Sequence, residues 1–186
     1  MSRKVYILLT DTGTWFSKLI GLYTRAKLNH ASIVLDEEMN EVYSFGRKNS
    51  LNPLSSGFVK EEVFGNLVRA VTRRTECELY CCTVSEETYE RMRLQIRHME
   101  YHQHKYKYNF LGLFGVVFNI SIERKNAFFC SQFVAYMLQK HGVPIVNKSI
   151  SQITPEDLQN CESLELIYSG DLRQKAKNLH QLPMTS

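Results

Sequence analysis

The sequence is short of the residues that mark several classes of protein. Of 186 residues only 4 are Pro, 9 are Gly and 1 is Trp. Collagen-like repeats and Pro/Gly-rich disorder are thereby excluded. No Pro/Gly/Ser-rich linker and no internal repeat divides the chain, so a single domain over residues 1–186 is expected. The five cysteines are odd in number and irregularly spaced, and none forms a CxxC pair. They do not make a disulfide framework, and free thiols are expected. The longest apolar stretch, Phe110 to Ile122, falls short of the ~20 residues that span a bilayer. At the N-terminus the apolar run gives out at Thr10 and Asp11, too early for the core of a signal peptide. A soluble, cytoplasmic protein is the expectation.

What is present is ordinary for a globular fold: 44% hydrophobic, 23% charged and 11% aromatic residues. The net charge of +4 is too mild to mark a nucleic-acid binder. It is concentrated, however. Between Tyr89 and Lys125 seven basic residues (Arg91, Arg93, Arg97, Lys105, Lys107, Arg124, Lys125) face three acidic ones, and the remainder of the chain is balanced. One basic face follows.

Val5 to Leu9 reads as a strand ending in a Thr-Asp-Thr-Gly turn, and Thr14 to Lys27 as a helix. Ala31–Leu35 and Glu41–Phe45 flank Asp-Glu-Glu-Met-Asn as a hairpin. Gly46 to Gly57 is a long loop. Leu67–Val71 and Cys77–Val84 read as further strands. Ser85 caps a helix running to about His104, with Tyr89, Met92, Ile96 and Met99 as a core stripe. A third helix spans Phe128 to Lys140 and stops at Gly142 and Pro144. Thr154-Pro155-Glu156-Asp157 opens a fourth, and Ser163 to Tyr168 is a last strand. The pattern predicts an α+β fold, an antiparallel sheet with helices packed against it.

Cys130 lies at the start of the third of these helices, where unpaired backbone N–H groups favour a thiolate. It is either a nucleophile or a buried core thiol. A nucleophile needs a base, and His30, which opens the strand Ala31–Leu35, is the best placed of six histidines. With Leu35 opposite Glu41, His30 and Ser32 share a face with Val42 and Ser44, which makes Ser44 the residue to orient the imidazole. A slip of one residue would bring Tyr43 or Glu41 there instead.

His30 before a hairpin, Tyr108-Asn-Phe-Leu-Gly-Leu, Phe129-Cys-Ser-Gln-Phe-Val-Ala and Ile153-Thr-Pro-Glu-Asp-Leu together resemble the circularly permuted NlpC-type papain-like cysteine hydrolases. That branch includes the YiiX-like proteins and, more distantly, the lecithin retinol acyltransferase-like proteins. The resemblance touches most of the chain from Thr14 to Leu158. It implies a permuted papain-like fold in which Cys130 is the nucleophile, His30 the general base and Tyr108 a donor to the oxyanion. Catalysis would run through an acyl-enzyme without cofactor or metal, on a peptide, small-molecule or lipid acyl substrate. Relatives commonly carry His, Glu, Asn or Gln near the position of Ser44. Serine orients an imidazole more weakly, so either another group supplies that role or His30 is held less firmly.

Two alternatives stand beside the hydrolase. One is a lipid-directed acyl transferase or hydrolase in peripheral contact with a membrane, motivated by the basic segment and the apolar run after Asn109. The other is a non-catalytic binding module of the same fold. His98, His102 and His104 read as a solvated helix end rather than a metal site. Arg69, Arg73, Arg74 and Lys105-Tyr-Lys-Tyr read as solvated faces, with no nucleic acid as partner. Phe110 to Ile120 is expected in the core.

Overall fold

The computed structural model describes residues 1–11, 27–48, 55–63, 67 and 75–181. Its central strand is β1 (Ser2–Thr10), in which Val5 to Leu9 are all buried. A strand apolar on both faces has to be covered on both, and it is. β1 pairs antiparallel with β2 (His30–Val34) on one side and β5 (Glu76–Ser85) on the other. Beyond β2 come β3 (Val42–Arg47), β4 (Ser56–Glu61), β6 (Lys107–Tyr108) and β7 (Ala127–Phe128); beyond β5 comes β8 (Glu165–Asp171). The sheet order is β7-β6-β4-β3-β2-β1-β5-β8, antiparallel except for the short β6–β7 pair.

Five described helices complete the mixed α+β architecture: α1 (Glu86–Tyr101), α2 (Phe110–Val117), α3 (Cys130–Lys140), α4 (Pro155–Gln159) and α5 (Leu172–Gln181). Alternation along the strands sends Val5, Ile7, Leu9, Ile33, Tyr43 and Phe45 to one face, where they meet α1 and α3. The opposite face presents Tyr6, Leu8, Val34, Val42 and Leu79 to Val63 and to Leu172 and Ala176 of α5.

Local chemistry accounts for the helix ends. The Ser85 hydroxyl accepts from the Thr88 N–H at the start of α1, whose residues Tyr89, Met92, Ile96 and Met99 are buried as their spacing predicts. Thr154 accepts from the Asp157 N–H, and Asp157 accepts in turn from the Thr154 N–H, closing a capping box around Pro155. α3 ends at Gly142, whose φ of 79° suits glycine; the Val143 N–H returns to the Leu138 carbonyl at 2.9 Å.

The hairpin has the expected register, with Ile33 opposite Tyr43 and Val34 opposite Val42. The Asp36 carboxylate accepts from the Asn40 and Glu41 N–H groups and fixes its turn. Other readings need correction. Strand β4 was not foreseen: it starts at the end of the expected Gly46–Gly57 loop, and Gly57-Phe58-Val59 pairs with β3 although three charged residues follow it. α3 begins at Cys130 rather than Phe128, which is in β7. Helix α5 was not foreseen. Nearly all of the helix expected over residues 14–27 and of the strand expected over 67–71 lies outside the described residues; the Leu67 N–H donates to the Glu62 carbonyl at 3.3 Å.

Between the sheet and α3 the core is aromatic. Phe133 is fully buried, with ring centroids 5.2 Å from Phe45 and 5.8 Å from Phe58. Phe133→Ala should cost about 3–5 kcal/mol of stability. Guanidinium unfolding followed by circular dichroism would measure this, and a cost under about 1 kcal/mol would show that the cluster does not anchor α3.

Candidate functional site

The site forms where two strands part. β3 stays paired with β4 as far as Arg47 opposite Ser56, whereas the β2–β3 ladder comprises only Ile33–Tyr43 and Val34–Val42. Continued in register, it would set Ser32 against Ser44 and then Ala31 against Phe45. The Ala31 N–H instead comes near the sulfur of Cys130, the first residue of α3, and helps to hold its pKa down. The Ser131 N–H, at the helix N-terminus, acts on that sulfur in the same way.

His30, at the end of β2, lies beside the Cys130 thiol, close enough that each shifts the other's pKa. Its Nε2 lies 2.7 Å from Glu61 Oε1, which leaves Nδ1 as the nitrogen for the sulfur. Glu61 reaches the ring from the end of β4, one strand beyond β3. Ser44, on β3, donates its hydroxyl to the same Glu61 oxygen. Ser32 lies close enough to help hold the carboxylate ionised, although its hydroxyl falls outside hydrogen-bond geometry with Oε2. No side chain intervenes at Gly46, where an added Cβ would come to 3.7 Å from His30 Cε1.

Burial opposes every charge in this group, and mutual attraction outweighs it. For Cys130, desolvation pushes the thiol pKa up, but the neighbouring charge of His30 and the two backbone N–H groups bring it below its ordinary value. For His30, desolvation favours the neutral ring, but the Glu61 carboxylate and the sulfur raise its pKa to about 10. Glu61 is held below its ordinary value, desolvation being overcome by His30, Ser44 and Ser32. Carboxylate, imidazolium and thiolate therefore coexist in sequence. The remaining cysteines are different. Burial pushes the Cys77 and Cys82 thiols up to about 12, and it raises Cys81 as well.

Tyr108 closes the other side. It ends β6, next to Phe128 of β7, and its ring centroid is 4.7 Å from that of Phe110. Desolvation and the neighbouring Cys130 charge raise its pKa well above normal, so the phenol keeps its proton. Behind it, buried Asn109 accepts from the Gly112 N–H and donates to the Ile122 carbonyl and to Gln132 Oε1. Gln132 also accepts from the Phe129 N–H. This ties β6, α2 and the start of α3 into one unit.

Cys130, His30, Ser44 and Tyr108 thus converge, and Glu61 joins them although sequence reasoning passed over it. The available signal was the β-prone Gly57-Phe58-Val59, masked by Lys60, Glu61 and Glu62. Ser44 contacts the carboxylate rather than the imidazole, so the carboxylate supplies the firm partner for which serine is a poor substitute. The rings of His98, His102 and His104 gather at the surface end of α1, with centroids 4.6 and 6.3 Å apart. Among the described residues no helix is long and apolar enough to cross a membrane. A cavity of about 240 Å³ bounded by Tyr6, Val34, Glu37, Met39 and Lys175 has no cysteine or histidine in its wall. It opens toward the end of the β1–β2 pair opposite His30.

No protein-family model matches the chain, and no curated protein matches it significantly.

The electrostatics predict how the thiols react. Between the lowered pKa of Cys130 and the value of about 10 for His30, the pair is thiolate and imidazolium. Iodoacetamide should therefore modify Cys130 faster than the other thiols at pH 6 to 7, and with a shallower rise toward higher pH than an ordinary thiol, which gains about tenfold per pH unit below ~8.5. In His30→Ala only the two backbone N–H groups are left to oppose desolvation, and Cys130 should lose most of its reactivity at pH 6. Peptide mapping by mass spectrometry reads both; equal labelling of all five cysteines at pH 6 would overturn the assignment.

Proposed function

We propose that the chain is a cysteine hydrolase or acyl transferase of permuted papain-like fold. The observation that carries this reading is the buried sequence Glu61–His30–Cys130, with the sulfur at a helix N-terminus. Carboxylate, imidazole and thiol in that order are the parts of an activated nucleophile, in which the third group orients the base. The arrangement also removes the reason for preferring a non-catalytic module, which was the lack of a strong partner for His30.

The reaction follows from the atoms in place. The Cys130 thiolate attacks the carbonyl carbon of an ester, amide or thioester. The sulfur–carbon bond forms as the carbonyl π pair moves onto oxygen. The Tyr108 phenol and the backbone N–H of Cys130 are the donors for that oxyanion. Collapse expels the alcohol, amine or thiol, which takes its proton from the His30 imidazolium and leaves a thioester on Cys130. His30 then accepts a proton from water or from another acceptor nucleophile as it attacks the thioester. The second collapse releases the acid or transferred acyl product and restores the thiolate. Glu61 keeps its negative charge throughout, steadying the imidazolium whenever it forms.

An electrophile library and intact-protein mass spectrometry test the nucleophile and sample acyl preference together. Cys130→Ala should abolish both adduct formation and turnover. On whichever acyl substrate is turned over, Glu61→Gln should reduce kcat by about a hundredfold or more. Tyr108→Phe should reduce kcat by about 10²–10³ with little change in KM. A fully active Cys130→Ala protein would end the proposal.

A further inference from the structure

The segment expected in the core, Phe110 to Ile120, turns its large side chains outward. Leu111 is 55% exposed, Phe114 51%, Phe118 69% and Ile120 56%. Leu111, Phe114 and Phe118 fall at i, i+3 and i+7, on one side of α2. Its buried positions are Gly112 and Gly115. The glycines explain the inversion. A Cβ on Gly115 would collide with the Ile120 carbonyl oxygen, and one on Gly112 with the Asn109 side chain. The helix therefore lies close on its own following loop by its smallest residues, and the apolar bulk is left in solvent. This arrangement is the reverse of a core helix.

The surroundings of this patch are basic. Lys107 pairs with Ala127, and Arg124 bridges to Ala127, so Lys107, Arg124 and Lys125 gather where the chain leaves and re-enters the sheet around α2. All three are exposed, and Lys48 lies near enough to feel the Lys107 charge. Among the described residues no carboxylate forms an ion pair with Lys48, Lys107, Arg124 or Lys125.

We propose that α2 and the loop through Ile120 form a docking surface for an anionic lipid bilayer, with the phenyl and aliphatic groups entering the acyl boundary and the basic rim meeting lipid phosphates. Exposed aromatic and branched side chains on a short helix beside unpaired cations suit a surface that is apolar below and negative above. A symmetric pairing of two copies through the same patch would set each basic rim against the other. Docking in this way brings Tyr108, one residue before the cap of α2, to the membrane side of the protein. The inference stands independently of the chemistry proposed for Cys130; if that chemistry operates, it would favour acyl groups held in lipid.

Flotation of the full chain with vesicles tests it. The protein should float with phosphatidylcholine containing about one third phosphatidylserine at low salt, and lose most of that binding in high salt or with phosphatidylcholine alone. Phe114→Ser with Phe118→Ser should weaken partitioning by about tenfold per residue. Neutralising Lys107, Arg124 or Lys125 to Gln should weaken it by about fivefold per charge. Far-ultraviolet circular dichroism matching that of the wild type serves as the folding control, and Leu111→Ser with Ile120→Ser provides a second variant should the first misfold. Failure of wild-type protein to float would overturn the proposal while leaving the thiol chemistry untouched. So would flotation indifferent to both variants, or sedimentation showing a dimer that the Phe variants dissolve.

Discussion

A carboxylate taken out of water needs a positive partner, and the contact between Glu61 and His30 meets that need twice over. It lets Glu61 stay ionised inside the sheet, and it keeps the imidazole protonated next to a sulfur anion. Desolvation works against all three groups, so none of the three charges is tenable alone. The surrounding architecture serves this chain of contacts. β3 contributes Ser44 to the carboxylate, β2 contributes the ring and α3 brings the sulfur to the end of a helix. The fully paired β3–β4 ladder fixes where Glu61 stands.

The parting of β2 from β3 gives the thiol its place. In a closed ladder the Ala31 N–H would bond a neighbouring strand. Released from that pairing, it comes near the sulfur alongside the Ser131 N–H. A peptide group that would have held the sheet together is thus converted into part of an anion site, while the hairpin turn at Asp36 and the aromatic packing of Phe45, Phe58 and Phe133 keep the opening rigid.

The legible parts of the sequence were those where local chemistry decides. Ser85, Thr154 and Gly142 announced helix ends because caps depend on a few adjacent atoms. The hairpin register followed from a short turn and alternating strands, so Ser32 and Ser44 were assigned to one face correctly. Glu61 was hidden for the opposite reason. Nothing in the run Lys60-Glu61-Glu62 marks a strand, and only pairing with Val42, nineteen residues earlier, turns one of them inward. α2 was misjudged because composition reports how apolar a helix is but not which side its glycines occupy. Backbone contact claims the glycine side, so the phenylalanines are displaced outward. Among its described side chains the Leu172–Gln181 helix has two core anchors, Leu172 and Ala176, too few to stand out from a polar tail.

The order of the three residues along the polypeptide bears on synthesis. Histidine and glutamate leave the ribosome well before the cysteine, and the helix bearing that thiol can seat itself only on strands already made. Until it does, the sulfur has ordinary acidity and little appetite for electrophiles. The nascent chain therefore carries no reactive anion through the crowded early stages of its life, and potency arrives together with the completed tertiary structure.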